Sequence, residues 1–454
     1  MKVESVKTVL LFFLVGISLV LTWNLWTYQP AYDVVDNTQF LQDVVTTEER
    51  KLEEHIIPSK IVYHHSSHIV GSTEDENVKS FMEDMKKWGF SKVRPMNTAL
   101  FEEDFLSFVH DRDGIEVMYP DRISFKVFQL MFQVKEQSVP NAYFDRILFS
   151  LKNQQSQFVT AYFIDYDKRR VFEATVENFN KATFQQLKAE LKSTYKPYVS
   201  YDIKDVRKIF LPKEPQKLNH VQYYIDTIEV EKFWKALFNS TEYVKKESLM
   251  NRDLYTDGPR VLDVNTQTNM IEYTSLVNSN TEGPENNNLL NRSFTFMNDH
   301  GGWIDKSYRF ASWNPNTREI IYRFHEKNYP VFNSQGLTEI YQRWGSMELL
   351  NYKRSLYRVV KFPLDSYQVT LSSGEEIIEF IEKKHPNFQK ELLEDLVVGY
   401  SFVKGESVEG NEEVNETLNL TNISLEPAWF YVYDKKWFQV IMEKELGGKA
   451  DGLE

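Results

Sequence analysis

A charge-free apolar run, TVLLFFLVGISLVLTWNL from Thr8 to Leu25, follows a short start that carries Lys2 and Lys7. Trp23, Trp26 and Tyr28 form an interfacial aromatic belt, and Pro30 ends the pattern. The stretch Thr8–Tyr28 reads as one membrane-spanning helix, roughly 31 Å long at 1.5 Å per residue. The next cation is Arg50, so the positive-inside rule makes residues 1–7 a cytoplasmic stub and places the remainder outside. A cleaved signal peptide is the competing reading of Val9–Leu21. The bulky WNLWTYQP that follows offers no small-x-small cleavage site.

Beyond the span the pattern alternates between helical and strand periods. Residues 29–58 are polar and acidic and read as a connector, with TTEERKLEEHI as a short helix capped by Thr47. A first unit, 59–213, opens on a strand at Ile61–Tyr63. Thr73 and Glu76 then offer a capping box before a helix whose apolar stripe is Val78, Phe81, Met82, Met85 and Trp88. Arg122–Val134 (RISFKVFQLMFQV), Phe158–Asp165 and Arg170–Val176 read as strands, and Phe184, Leu187, Leu191 and Tyr195 mark a second helix. The two prolines of LPKEPQK mark a boundary. A second unit, 214–329, holds strand VQYYIDTI, helix VEKFWKALF, a hairpin turning at Asn265–Asn269, a polar loop Asn278–Asn291, and a hairpin turning at Asn314–Asn316. A third unit, 330–454, holds strands around Tyr352–Val360 and Tyr367–Leu371, helix EEIIEFIEKK, and strands LVVGYSFVKG and AWFYVYD. Between those last strands lies an acidic loop, Glu406–Glu426, and KWFQVIM follows a turn at Asp434–Lys436. The predicted class is α+β: an N-terminal transmembrane helix and a three-domain extracytoplasmic region with mostly antiparallel sheets.

Composition narrows the function. A net charge of −13 argues against nucleic-acid partners, which need a basic footprint. The absence of cysteine excludes disulfides, thiolate zinc sites and thiol nucleophiles, and an exported chain without disulfides reads as bacterial. No P-loop, Gly-x-Ser-x-Gly, Ser-x-x-Lys or His-Glu-x-x-His motif occurs. His64, His65 and His68 are the best metal candidates. In an extended strand His64 and His68 would stand about 13 Å apart, so only a local turn could gather them. Surface or satisfied histidines are therefore the default, and no metal, cofactor or catalytic residue is assigned. Asp299-His300-Gly301-Gly302-Trp303 could hold an acid–base pair but more simply marks a turn. The strands Trp429–Tyr433 and Trp437–Phe438 fit a core or sheet face better than a sugar platform, and the acidic loop fits a solvated segment better than a cation site.

The helix has a face of its own. Thr8, Leu11, Val15, Ser18 and Thr22 fall at steps of three and four, and small or hydroxyl side chains favour close helix–helix contact in lipid. This face is the predicted partner-binding site.

The basic start and anchor MKVESVKTVLLFFLVGISLVLTWNLW, the middle segment YTDGPRVLDVNTQTNMIEYTS and the C-terminal EPAWFYVYDKKWFQV, in that order, resemble the YycH family of Gram-positive accessory regulators. The resemblance covers essentially the whole chain. It implies a three-domain α+β ectodomain whose later domains resemble the related protein YycI, and no catalytic residues. The implied partners are YycI, the membrane sensor histidine kinase of the WalK/WalR (YycG/YycF) system, which controls cell-wall metabolism, and the cell membrane. In bacilli such proteins restrain the kinase, and in staphylococci they promote signalling; this sequence looks closer to the bacillus type. An envelope module that binds wall polymers and a wall hydrolase are the alternative readings. The first predicts exposed aromatic platforms, and the second a deep cleft with two facing carboxylates.

Overall fold

The computed structural model describes residues 2–27, 33–34, 50–65, 68–97, 105–151, 155–238, 240–276, 289–300, 302–303, 305–346, 348–385, 387–405 and 421–442. Two sheets carry the α+β architecture, and nearly all strand pairs are antiparallel. The ten-stranded sheet lies wholly within Lys60–Pro212. Its centre is built from Lys60–His65, Gly114–Ser124, Tyr143–Leu151, Phe158–Asp165 and Arg170–Asn180. Alternation assigns the faces: Ile115 and Val117 point into the main core while Glu116 between them points the other way. The helices Asp75–Lys87, Phe125–Met131 and Lys181–Thr194 cover the core face with their apolar stripes. Phe90, Phe125, Phe128, Phe144, Phe149 and Phe163, all buried, fill the space between helix and sheet, with ring pairs such as Phe144–Phe163 at 4.8 Å.

The fifteen-stranded sheet takes in the rest. Apart from Asp33–Val34, its strands all follow the proline-containing segment, from Gln216 onward. The expected second boundary at 330 does not separate two sheets. It cuts the hairpin of Glu319–Glu326 with Tyr329–Phe332, and the strands Glu339–Trp344 and Leu349–Ser355 pair with Glu319–Glu326 and Met270–Ser275. Gln216–Thr227, from the second unit, pairs with Tyr357–Leu371 and Thr421–Tyr433 from the third. Cross-strand pairing at long range decides this, and no local signal reports it.

Other local readings are corrected too. RISFKVFQLMFQV is strand at Arg122–Ser124 and again at Gln133–Val134; between them Ser124 Oγ accepts the Val127 N–H and starts the helix Phe125–Met131. Aromatic and β-branched residues at Phe125, Val127 and Phe128 suit either period, and burial against the sheet selects the helix. The Thr73–Glu76 capping box does not form: the helix N-cap is Glu74, whose N–H is taken by Ser72 Oγ. Leu289–Asp299, expected partly as polar loop, is a helix with Leu289, Leu290, Phe294 and Met297 buried. The connector expected to run to Pro58 joins the core from Leu52 onward, where His55, Ile56 and Ile57 are buried. Thr47 and most of the expected acidic loop, 406–420, lie outside the described residues; Thr421–Glu426 begins a strand.

The two sheets are joined by specific bonds. Arg309 Nη2 donates to Asp75 Oδ1 at 2.7 Å, Asn328 donates to the carbonyls of Ser59 and Thr73, and Lys60 meets Asp395 at 3.1 Å. Asp121 accepts the Trp313 N–H, and burial pushes its carboxyl up to about 6. At another contact, a Cβ on Gly374 would lie 2.4 Å from Leu211 Cβ and 3.2 Å from the Pro212 carbonyl. Gly374 begins the helix Gly374–Lys384, and Leu211 belongs to the edge strand of the other sheet. Gly374→Ala should therefore destabilise the protein by about 1–3 kcal/mol through overpacking, although alanine is the better helix former. Urea denaturation checks this; an unchanged or higher midpoint would show that the contact yields freely.

Candidate functional site

The N-terminal helix runs Lys2–Thr27. Every side chain described from Leu10 to Trp23 is exposed, so Leu11, Val15, Ser18 and Thr22 stand on an open surface at helical spacing; the Thr8 side chain lies outside the described residues. Thr22 Oγ1 donates to the Ser18 carbonyl at 2.8 Å, which satisfies the hydroxyl inside its own helix. Among the described residues no helix is long and apolar enough to cross a membrane. The charge-free sequence of this helix runs from Thr8 to Leu25.

The three histidines of YHHSSH do not gather at one point. The chain reverses after His65, and His65 and His68 face each other in register across the hairpin of Lys60–His65 with His68–Ser72. His68 is exposed, and His65 lies 3.5 Å from Asp113. His64 points to the opposite face and enters a buried cluster with residues distant in sequence. His64 Nε2 lies 2.7 Å and His110 Nδ1 3.1 Å from Glu116 Oε2, while Arg146 Nη1 donates to Glu116 Oε1 at 2.9 Å. An ionised carboxylate only accepts, so both imidazole nitrogens facing it carry protons. His110 Nε2 then accepts from the Tyr166 hydroxyl at 2.8 Å, and that oxygen accepts the Lys208 N–H at 3.0 Å. Phe210 closes the cluster edge-on to both imidazoles, at 4.8 and 5.1 Å, and the Arg146 guanidinium sits 3.6 Å over the Tyr166 ring.

Burial by itself raises Glu116, but His110, His64 and Arg146 outweigh it and hold the carboxyl well below the usual carboxylate range. Burial lowers His110 against the pull of Glu116, which keeps its imidazole neutral at neutral pH. His64, His110 and Glu116 offer three donor atoms within 4.8 Å of one another. A dication there would face the permanent charge of Arg146, and the carboxylate is already neutralised. The contacts are those of N–H···O bonds, and the arrangement is a closed ionic cluster rather than a metal centre. His110, Glu116, Arg146 and Tyr166 were not singled out from the sequence. Their signal is a charge at a core-strand position, Glu116 in GIEVMY and Arg146 in FDRILF.

The other candidates are accounted for by their neighbours. His300 Nδ1 donates to the Phe296 carbonyl at 2.9 Å and its ring stacks on Phe296, so it is not held by Asp299. His220 Nε2 meets Ser424 Oγ at 2.5 Å, but His220 Nδ1 has no hydrogen-bond partner among the described residues to orient it as a base. Trp429, Phe430 and Tyr431 are buried, while Trp437 and Phe438 are exposed. An open groove of about 600 Å³ lies over Glu272, Glu339, Tyr341, Arg343 and Lys353. Its two carboxylates are tied, Glu272 to Asn351 and Glu339 to Arg323.

Fold and site together define a two-sheet α+β protein with an N-terminal apolar helix and a buried ionic cluster. The family models for the YycH protein match in both halves, the N-terminal domain over residues 4–196 and the C-terminal domain over residues 206–445. The chain belongs to the YycH family. It is 24% identical over 443 residues to the two-component system WalR/WalK regulatory protein YycH of Bacillus subtilis (strain 168), with 94% of each chain covered. The crystal structure of YycH from Bacillus subtilis superposes with a TM-score of 0.69 at 20% identity, covering 86% of this chain and 97% of that one, which establishes the shared fold.

Proposed function

We propose that this chain is a membrane-anchored accessory regulator of a WalK/WalR-type two-component system that controls cell-wall metabolism. Held in the cell membrane by Thr8–Tyr28, it acts with a YycI-like protein and restrains the sensor histidine kinase through contacts between membrane helices, without chemistry of its own. The observation that carries this reading is the match of both halves to YycH, together with a regulatory relative aligned along nearly the whole chain. The exposed face of Leu11, Val15, Ser18 and Thr22 supports the route. On this reading the effect on the kinase passes through helix contacts within the lipid. Such a contact shifts a two-state kinase only by the difference in its binding free energy to the two states.

The test replaces Thr8–Tyr28 with an unrelated span of equal length and leaves the rest of the chain intact. Expression of a gene driven by the response regulator should rise to the level of a strain lacking the protein, while its amount and membrane fractionation stay constant. Restraint that survives the swap rejects the helix route.

A further inference from the structure

The strand Asp33–Val34 follows the N-terminal helix and pairs antiparallel with Lys245–Leu249, Asp33 opposite Lys246 and Val34 opposite Lys245. The direction of this pairing matters. Moving back along the chain from Asp33 toward Thr27 is moving forward along the partner strand from Lys246 toward Leu249. The tip of the hairpin formed by Lys245–Leu249 and Arg252–Thr256 thus lies on the side from which the chain enters Asp33. That tip is apolar: Leu249 is 51% exposed and Met250 97% exposed. Lys246 and Arg252 flank it, each paired with an aspartate, Asp253 at 2.9 Å and Asp263 at 3.1 Å. Their aliphatic stems lie beside the tip with their charges already met.

Chain length sets the height. The steps from Thr27 to Asp33 span at most about 21 Å even when fully extended. From Lys246 to Met250 the hairpin returns about 13 Å in the opposite direction. With the strand pair along the bilayer normal, the tip lies no more than roughly 8 Å above the level of the helix end. That depth corresponds to the headgroup region next to the interfacial Trp23.

From this geometry we infer that the Leu249–Met250 hairpin tip is a second membrane contact, seated in the lipid interface beside the anchor. The inference rests on the anchor reading given above. It accounts for a nearly fully exposed methionine as a wedge among lipid headgroups and upper acyl chains, the environment that suits an apolar tip. With two points of attachment the fifteen-stranded sheet is held at a fixed tilt to the bilayer, so that neighbours anchored in the same membrane meet one of its faces reproducibly.

The cysteine-free chain lends itself to a site-specific test. Met250→Cys and Leu276→Cys are each labelled with a bimane fluorophore in the full-length protein. The protein is reconstituted in vesicles of phosphatidylethanolamine and phosphatidylglycerol that contain lipid with a nitroxide near the headgroup. Leu276 is also strongly exposed, at 77%, but sits at the opposite end of the same strands, its N–H bonded to the Pro259 carbonyl, about 20 Å farther from the helix end. The expected result is quenching at position 250 several-fold stronger than at 276, with the opposite order for aqueous iodide. Equal quenching at the two positions in protein retained by the vesicles overturns the hairpin contact and leaves the anchor standing. Protein that is not retained at all overturns both.

Discussion

Glu116→Ala should cost the protein about 3–5 kcal/mol, the range found when one partner of a buried ion pair is removed. The carboxylate has no exposed surface, and it is the common acceptor for His64, His110 and Arg146. Its removal strands a largely buried guanidinium and two imidazole N–H groups under Phe210, where water cannot readily replace the lost bonds. At roughly 2–4 °C per kcal/mol for a domain of this size, the melting temperature of the full-length protein in detergent should fall by on the order of 10 °C. Glu116→Leu combined with Arg146→Met separates two meanings of that loss. If the cluster is costly mainly when broken, the double variant should recover most of the stability, because an apolar pair of similar volume carries no unpaired charge. A single Glu116→Ala variant within 1 kcal/mol of the parent would mean that the cluster is solvated in solution.

His55 should make the protein acid-sensitive above the range where carboxylates titrate. Its imidazole is buried, donates to the Tyr308 carbonyl and stacks on Trp303 at 3.8 Å, and its Nε2 has no hydrogen-bond partner among the described residues. Burial lowers it from 6.5 to about 4, with Arg50, Arg309 and Lys306 pushing the same way. The neutral ring therefore contributes its full stabilisation above pH 6.5. As pH falls toward 4 the unfolded chain takes up a proton that the folded chain refuses, and stability is lost by about 2.5 kcal/mol at pH 4.5. Asp121 works against this trend: its raised carboxyl, at about 6, costs stability at neutral pH and relieves that cost as pH falls through the same window. A single curve for the parent protein would blend the two. The difference between the parent and His55→Phe, which keeps the ring stack and does not titrate, removes the Asp121 contribution because both proteins share it. That difference, from urea denaturation at a series of pH values, should shrink by on the order of 2–3 kcal/mol between pH 7.5 and pH 4.5. A constant difference would place the His55 proton elsewhere.

What could be read in advance was whatever depends on neighbours in sequence. The helix Lys2–Thr27 follows from an unbroken apolar run, and Asp75–Lys87, Lys181–Thr194 and Gly374–Lys384 follow from apolar stripes at steps of three and four. The turns between Asp165 and Arg170, at Asn314–Asn316 and at Asp434–Lys435 follow from residues that tolerate or promote chain reversal; Arg169, Asp434 and Lys435 take positive φ there. The helix face proposed to meet a partner is likewise a matter of local spacing.

Tertiary structure alone decided the rest. Whether Phe125–Met131 is strand or helix depends on the sheet it lands on. Whether Glu339–Ser355 belongs with the chain before or after it depends on pairing with Met270–Ser275. The cluster of His64, His110, Glu116, Arg146 and Tyr166 is drawn from separate elements, so no single segment records it. The hairpin tip at Met250 gains its meaning only from the strand opposite it, near the start of the chain. Local periodicity is encoded by side chains a few residues apart, whereas pairing partners and buried charges are fixed by the free energy of the whole assembly, in which distant residues meet and water is removed together.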